Sequence, residues 1–194
     1  MCGISGFISE ELNKSHLLTM TDSLSHRGPN AEGSYFNKQQ NIGLGHRRLS
    51  IIDLSPEANQ PMISNCQRYI MVYNGEVYNF QNIKKKIKNI EWKTSSDSEV
   101  IIEAFAKFGP NFVTMLNGMF AIAIYDKIDE KLFLFRDRMG IKPLFFLKDK
   151  KNLIFASEIK TISKVQKLNE IDYDVIYSYL HLGYVPSNKT IFKN

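Results

Sequence analysis

Short apolar runs separated by polar and glycine-containing turns make up most of this chain. The length and alternation typical of β-strands occur at residues 2–8, 34–36, 42–44, 48–52, 68–73, 119–125, 132–135, 144–147 and 153–156. Because short turns join consecutive runs, the pattern predicts antiparallel sheets. The pair Asn74-Gly75 follows the run at 68–73 and has the composition of a tight turn.

Helical spacing of apolar residues occurs in a few separate segments. The first predicted helix follows Ser15, which we expect to be its N-cap. A second begins at the capping box Ser96-Asp97-Ser98-Glu99 and ends before Gly109-Pro110, and two further helical patterns cover 158–163 and 173–182. Because strands and helices are segregated and do not alternate one by one, the sequence favours an α+β fold.

Composition and charge narrow the classes of function. No apolar run approaches the roughly 18 residues that span a membrane, and no secretory signal precedes the first strand, so we expect a cytoplasmic protein without a membrane partner. The net charge is +5, but the lysines are dispersed and form no basic stripe with aromatic residues, which argues against nucleic-acid binding. Cys2 and Cys66 are expected to stay reduced in that compartment.

Cys2 is the residue with the clearest chemical consequence. If Met1 is removed, Cys2 carries a thiol and a free α-amine on one residue. An α-amine has a reference pKa of about 7.7 to 8.0, so it is able to accept the thiol proton near neutral pH. Gly3 and Gly6 allow the backbone to approach a substrate closely. On these residues alone, a strand start with a buried free cysteine remains the alternative.

Several motifs accompany the Cys2-Gly3-Ile4 start in a fixed order, at residues 25–29, 46–53, 73–79, 95–100, 136–143 and 155–160. Together they closely resemble the glutaminase domain of glutamine-hydrolysing asparagine synthetases. These are class II glutamine amidotransferases of the N-terminal-nucleophile hydrolase superfamily. The resemblance extends from Cys2 to about Lys160.

The resemblance implies a four-layer αββα sandwich of two antiparallel sheets with helices outside. It also implies that Met1 is removed and that Cys2 attacks the side-chain amide of L-glutamine, releasing ammonia and then glutamate through a thioester. The oxyanion that forms in such an attack needs preorganised donors. The resemblance assigns these donors to the Asn74 side chain and the Gly75 backbone N–H. Taken without the resemblance, Asn74-Gly75 is only a hairpin turn.

Substrate recognition is implied in the same way. Arg48 is expected to bind the α-carboxylate of glutamine, since a guanidinium offers a planar bidentate partner, with backbone contacts from Leu49 and Ile51. Asp97, assisted by Glu76, is expected to bind the α-ammonium group. Asp97 also fits an N-cap position, so its structural and functional roles are compatible.

The remaining motif, Arg136-Asp137-Arg138, is expected to form a structural, salt-bridged turn between strands, because no phosphate-binding glycine loop precedes it. The histidines and cysteines lack metal-ligand spacing, so no metal and no cofactor are expected in this chain. Residues 1–160 are assigned to the glutaminase domain. Residues 161–194 are assigned to a linker and the truncated start of a synthetase domain.

The resemblance further implies a partner for the reaction. A C-terminal synthetase domain would use ATP and magnesium to activate aspartate and would receive the ammonia. Two alternatives stay open, namely a domain that senses glutamine without turnover and an amidotransferase that acts on a different carboxylate acceptor. The sequence leaves a homo-oligomer open as well.

Overall fold

The structure, a computed structural model, describes residues 1–185 and 189–193. Part of the predicted start of a second domain, residues 186–188 and 194, lies outside the described residues. The strands are β1 Gly3–Ser9, β2 Ala31–Asn37, β3 Ile42–Arg48, β4 Met62–Ile63, β5 Tyr69–Val77, β6 Gly118–Asp126, β7 Lys131–Arg136, β8 Phe145–Lys148 and β9 Asn152–Ala156. The α-helices are α1 Lys14–Asp22, α2 Phe80–Lys84, α3 Asp97–Phe108, α4 Ile159–Ile162 and α5 Tyr173–Leu182. Among the described residues, no helix has both the length and the apolarity needed to cross a membrane.

The strands form two antiparallel sheets. The first sheet has the order β2-β3-β1-β9-β8, and the second has the order β4-β5-β6-β7. β1 lies at the centre of the first sheet, where Gly6 pairs with Leu44 on β3 and with Phe155 on β9. β5 and β6 pair along their whole length in the second sheet. The predicted α+β class with antiparallel sheets is confirmed.

The two sheets pack face to face, and helices cover their outer faces. Buried side chains of both sheets meet between them, namely Ile4, Ile42, Leu44, Ile70, Val72, Ala121, Ala123, Tyr125 and Phe155. On the outer face of the first sheet, Phe7 and Ile154 pack against Leu17 of α1 and Ile162 of α4. On the outer face of the second sheet, residues of α2 and α3 pack against β5 and β6. This is the four-layer αββα sandwich that the resemblance implied.

The predicted N-cap is wrong for one of the two best-marked helices and confirmed for the other. α1 is capped by Asn13, because the Asn13 side chain accepts hydrogen bonds from the backbone N–H groups of Ser15 and His16, so the predicted N-cap Ser15 is wrong. α3 is capped by Ser96, whose side chain accepts from the Glu99 N–H. Asp97 is therefore the first helical residue and not the N-cap.

The predicted strand at 48–52 is also wrong. β3 ends at Arg48, and the chain turns away from the sheet because the Leu49 N–H donates to the Cys2 Sγ and not to a neighbouring strand. The apolar residues after it do not enter the core, since Ile51 is 69% exposed. These residues form the wall of the site described next.

Candidate active site

A cavity of about 250 Å³ opens between the start of β1, the end of β3, the middle of β5 and the first turn of α3. Its wall includes every residue that the sequence analysis selected for catalysis or substrate binding, namely Cys2, Arg48, Leu49, Ile51, Asn74, Gly75, Glu76 and Asp97. The fold thus gathers residues from both sheets and from one helix around a single space.

Cys2 is partly buried at the wall of the cavity. Its Sγ accepts a hydrogen bond from the Leu49 N–H at 3.3 Å, and its thiol faces the Leu49 carbonyl oxygen at 3.6 Å. A backbone N–H aimed at the sulfur is able to stabilise negative charge there. The Cys2 carbonyl oxygen accepts a hydrogen bond from Arg27 Nε at 3.0 Å, so its main chain is fixed as well.

Arg27 was not assigned to the site from the sequence, although it lies in one of the motifs of the resemblance. Its Nη1 pairs with Glu158 Oε1 at 3.0 Å, and Glu158 also accepts from His26 at 2.8 Å and pairs with Lys160 at 3.0 Å. Burial would raise the pKa of Glu158, but the hydrogen bonds from Arg27, His26 and Lys160 outweigh it and lower that pKa to about 2. A charged cluster therefore holds the backbone of Cys2.

The sequence prediction that Asn74-Gly75 forms a tight turn is wrong. Both residues lie inside β5, where Asn74 pairs with Ala121 and Gly75 pairs with Phe120. The glycine is needed for space, because a Cβ at Gly75 would lie 2.3 Å from the Met119 carbonyl oxygen and 2.7 Å from the Tyr73 ring.

The Gly75 N–H points away from β6 and towards the cavity edge of β5. Backbone groups alternate in direction along a strand. The N–H groups of Tyr73 and Val77 do not bond to β6. The Tyr73 N–H donates to Gln60 Oε1 at 2.6 Å, and the Val77 N–H donates to Asp97 Oδ2 at 3.0 Å. Gly75 lies between these two residues, so its N–H faces the same edge, where it lines the cavity.

The Asn74 side chain supplies a second donor at this place. Asn74 is 1% exposed, and among the described residues its Nδ2 has no hydrogen-bond partner. It follows Ile70 and Val72 on the face of β5 that is turned towards the sheet containing β1. A buried amide without a partner costs stability, which is offset when a ligand oxygen accepts its hydrogen bond.

Arg48 is buried, and its guanidinium is held by neutral acceptors. Nη1 donates to the Ser55 carbonyl oxygen at 2.8 Å and to Asn59 Oδ1 at 2.7 Å, and Nη2 donates to the Asp53 carbonyl oxygen. None of the ion pairs between described residues involves Arg48. Its charge at the cavity wall is therefore available to an anionic group of a ligand.

Asp97 is 4% exposed, and it carries the opposite charge into the cavity wall. Its Oδ2 accepts from the Tyr73 hydroxyl at 2.7 Å and from the Val77 N–H at 3.0 Å. Burial raises the pKa of Asp97, and the nearby Glu76 adds to the shift. Ions that are this buried are normally paired, so the site favours a cation beside Asp97.

Leu49 and Ile51 belong to the segment 49–55, which is fastened at its far end. Asp53 Oδ1 accepts from the Ser55 N–H at 2.8 Å, and Asp53 Oδ2 accepts from the Ser95 N–H at 2.8 Å. Hydrogen bonds from Ser55 and then Ser95 lower the pKa of Asp53. The carboxylate therefore ties this segment to the residues in front of α3.

Gln60 and Lys142 are two of the cavity residues that the sequence analysis did not select. Gln60 accepts a hydrogen bond from the Tyr73 N–H and donates from Nε2 to Ser98 Oγ at 3.4 Å, so it links β5 to α3. No pattern in the sequence marks this residue. Lys142 also lines the cavity, although it belongs to the motif at 136–143 that was interpreted as purely structural.

The salt bridge predicted within Arg136-Asp137-Arg138 is wrong. Asp137 accepts from the backbone N–H groups of Phe120 at 3.1 Å, Ile141 at 2.9 Å and Lys142 at 2.9 Å, and Arg136 donates to the Lys142 carbonyl oxygen at 2.8 Å. Backbone groups satisfy both charges because the turn after β7 folds back over them. In residues 1–185 and 189–193, no cluster of three or more His, Cys, Asp or Glu side chains has the arrangement of a metal site.

Known proteins resemble this chain in sequence and in fold. A family model described as a glutamine amidotransferase domain matches residues 1–194. The glutamine-hydrolysing asparagine synthetase 2 of Bacillus subtilis is 42% identical over 84% of this chain and 22% of its own length. Asparagine synthetase 1 of the same organism is 33% identical over 98% of this chain and 31% of its own length. The chain spans less than half the length of the curated relatives that it matches.

The fold is shared with a more distant enzyme. The solved structure of glutamine phosphoribosylpyrophosphate amidotransferase from B. subtilis, with ADP and GMP, matches with a TM-score of 0.72 at 21% identity, over 84% of this chain and 43% of that chain. This likeness confirms the predicted fold of the N-terminal-nucleophile hydrolase type. Taken with the family model that matches all 194 residues, it leads to one assignment. This chain belongs to the glutamine amidotransferase domain family and is homologous to part of the glutamine-hydrolysing asparagine synthetases.

Proposed function

We propose that this chain hydrolyses the side-chain amide of L-glutamine to glutamate and ammonia, with Cys2 as the nucleophile. The observation that supports this most directly is the content of one cavity: a thiol at Cys2, the unpartnered amide of Asn74, a buried cation at Arg48 and a buried carboxylate at Asp97. Glutamine carries the group that each of these requires, and it carries them on one molecule.

Removal of Met1 is the first requirement of this mechanism. With Met1 present, the nitrogen of Cys2 is an amide nitrogen and is not a base. Once Met1 is removed, the free amine of Cys2 accepts the thiol proton, and Sγ attacks the carboxamide carbon. The carbonyl oxygen then carries negative charge, which the Asn74 Nδ2 and the Gly75 N–H stabilise.

Collapse of this intermediate breaks the carbon–nitrogen bond. The amine of Cys2 returns its proton to the leaving nitrogen, which departs as ammonia, and a γ-glutamyl thioester remains on Sγ. Water then attacks the thioester carbon, glutamate forms and the thiol is regenerated. The same amine and the same pair of oxyanion donors serve both halves of the reaction.

The two charges of the substrate backbone are bound by different residues of the cavity wall. Arg48 binds the α-carboxylate through the donors that its neutral partners leave free, and the backbone of Leu49 and Ile51 contributes further contacts. Asp97 and Glu76 bind the α-ammonium group. Because both charges are required together, the site selects a free amino acid over a glutamine side chain inside a protein.

The ammonia produced here is proposed to serve a second reaction. We assign residues 1–160 to the glutaminase domain and 161–194 to a linker and the start of a synthetase domain. That domain would use ATP and magnesium to make asparagine from aspartate, and the names of the relatives, glutamine-hydrolysing asparagine synthetases, support asparagine as the product. A different carboxylate acceptor is the second candidate, and it is tested by supplying aspartate or other carboxylates to the full-length protein.

Labelling with an electrophilic diazoketone analogue of glutamine tests the glutaminase reaction. The protein is first treated with methionine aminopeptidase until its intact mass shows that Met1 is gone. One adduct is then expected in the wild type and in Cys66→Ala, and no adduct is expected in Cys2→Ala. Cys66 is the matched control because it is the exposed free thiol of the described residues.

Two results would contradict this function. One is an adduct that survives in Cys2→Ala, and the other is processed wild-type protein that neither reacts with the analogue nor releases glutamate from glutamine. A chain that binds glutamine under those conditions without turning it over would instead be a glutamine sensor.

A further inference from the structure

Lys142 is a buried cation in the cavity that the proposed reaction has not yet used. The residue is 6% exposed, whereas lysine is almost never this buried unless it is paired. No ion pair between described residues involves it. Its Nζ lies 3.3 Å from the Met1 Sδ, a weak acceptor that does not neutralise an ammonium group.

The position of Lys142 is fixed by the turn after β7. Asp137 Oδ2 accepts the backbone N–H of Lys142 at 2.9 Å and that of Phe120 at 3.1 Å, and Phe120 pairs with Gly75 across the second sheet. Arg136 Nε donates to the Lys142 carbonyl oxygen at 2.8 Å. The motif at 136–143 is therefore a rigid support that places one lysine beside the strand of the oxyanion donors.

The contact with Met1 indicates where the ammonium lies relative to the nucleophile. Met1 is covalently joined to Cys2, and Met1, Cys2 and Lys142 line the same cavity. Removal of Met1 takes away the only polar atom within hydrogen-bond distance of the Nζ among the described residues. The ammonium then belongs to the same cavity wall as Cys2 and has no counter-ion among the described residues.

The other charged groups of the cavity have separate partners. Asp97 is engaged by Tyr73 and Val77, and Asp53 is engaged by Ser55 and Ser95. Glu76 lines the cavity but forms no ion pair with Lys142 among the described residues. The missing counter-ion is therefore one that the reaction itself brings, since glutamine arrives with a neutral side chain and leaves as glutamate.

We infer that Lys142 is a further catalytic residue of this site: its ammonium binds the negative charge that forms next to Cys2, in the tetrahedral intermediate and in the γ-carboxylate of the glutamate product. The inference rests on the proposed glutaminase function. A cation that interacts with negative charge in the transition state, and not in the bound substrate, lowers the activation barrier without strengthening substrate binding.

The test compares Lys142→Met, Lys142→Arg and the control Lys148→Met after removal of Met1. Lys148 is exposed on β8, away from the cavity. For Lys142→Met, kcat for glutamine is expected to fall about 100-fold, as for other losses of one oxyanion-stabilising group. The KM for glutamine is expected to change little, and the inhibition constant of glutamate to rise about tenfold. Lys142→Arg is expected to recover most of both losses, and Lys148→Met to match the wild type.

Thermal unfolding separates this role from a structural one. Replacing a buried, unpaired ammonium by an apolar side chain of similar volume should leave Tm unchanged or raise it. A lowered Tm in Lys142→Met without recovery by Lys142→Arg, or a kcat within twofold of wild type, would overturn the inference and leave the glutaminase function standing. Absence of turnover in the processed wild type would contradict the glutaminase function itself, and the inference would fall with it.

Discussion

The hydroxyl of Tyr73 and the carboxylate of Asp97 form a buried hydrogen bond of 2.7 Å that joins β5 to the first turn of α3. The Val77 N–H donates to the same carboxylate oxygen at 3.0 Å. One residue thus fastens the helix to the strand that contains Asn74 and Gly75, and the same residue presents charge to the cavity. The structural and ligand-binding demands on Asp97 can be separated by substitution.

The Asp97→Asn variant should fold as the wild type does but bind glutamine more weakly. Because burial raises the pKa of Asp97, the folded chain binds its proton more tightly than the unfolded chain does. The stability that this group contributes therefore falls as the pH rises from the ordinary pKa of a carboxyl group through the raised pKa of Asp97. An asparagine oxygen still accepts both hydrogen bonds and carries no charge, so Tm at pH 7 should be equal or higher. Affinity for glutamine, measured by calorimetry, should fall about 10- to 100-fold with the loss of a charged partner.

Asp97→Ala is the comparison for that experiment. It removes the acceptor for Tyr73 and Val77 as well as the charge, so both Tm and affinity should fall. Wild-type affinity for glutamine in Asp97→Asn would show that the α-ammonium group is bound elsewhere.

Asn74→Ala should reduce the rate and not the binding of glutamine. The Asn74 Nδ2 has no hydrogen-bond partner in the described residues, so truncation breaks no hydrogen bond that this donor makes in the free protein. We expect kcat for glutamate release to fall about 100- to 1000-fold while KM changes little. Asn111→Ala, at an exposed position, is the control and should behave as wild type. A large rise in KM without a fall in kcat would remove Asn74 from the oxyanion site.

Arg48→Lys should raise KM for glutamine by roughly 10- to 100-fold, because an ammonium group cannot replace the planar pair of donors. The neighbouring Arg47 offers a close control. It forms ion pairs with Asp22 and Glu32 outside the cavity, so Arg47→Lys should leave KM unchanged. Equal effects of the two substitutions would assign the change to the fold of β3 and not to carboxylate binding.

His46 should make the domain sensitive to mild acid. Its Nε2 lies 3.1 Å from the Tyr73 carbonyl oxygen, and burial lowers the pKa of His46 from 6.5 to about 3. Between these two pH values the unfolded chain takes up a proton that the folded chain does not, so stability is lost as pH falls from 6.5 towards 3.

Chemical unfolding at several pH values checks this expectation for His46. The His46→Gln variant removes the titration, so its stability should fall less steeply over the same range than that of the wild type. Parallel pH profiles for the two proteins would contradict it, as would titration of the His46 ring near pH 6.5 by NMR.

The sequence predicted the parts of this molecule that depend on local pattern. Alternating apolar runs gave the antiparallel sheets, and the stop at Gly109 gave the end of α3, where φ is 66°. The motifs of the resemblance led to eight residues that line one cavity. Membership in these motifs therefore identified the residues of the site more reliably than the predicted local conformation of each motif did.

The errors have a common physical origin. Asn74-Gly75 has the composition of a turn, yet the pairing with β6 and the crowding by Met119 make it a strand position that only glycine fits. Leu49, Ile51 and Ile52 line a cavity and do not belong to a sheet. Long-range contacts decided both cases, and a single sequence does not display them.

The nucleophile and the oxyanion donors belong to different sheets, and this has a mechanical consequence. Cys2 precedes β1 of the first sheet, whereas Asn74 lies on β5 of the second, and the small side chains of Ala121 and Ala123 are buried between the sheets. The thickness of this layer sets how far the sulfur stands from the amide that must receive the developing charge. Ala121 and Ala123 therefore act as spacers between the sheets. A single added methyl group at either position would change the distance between the sulfur and the amide and so slow the reaction, although neither alanine contacts the substrate.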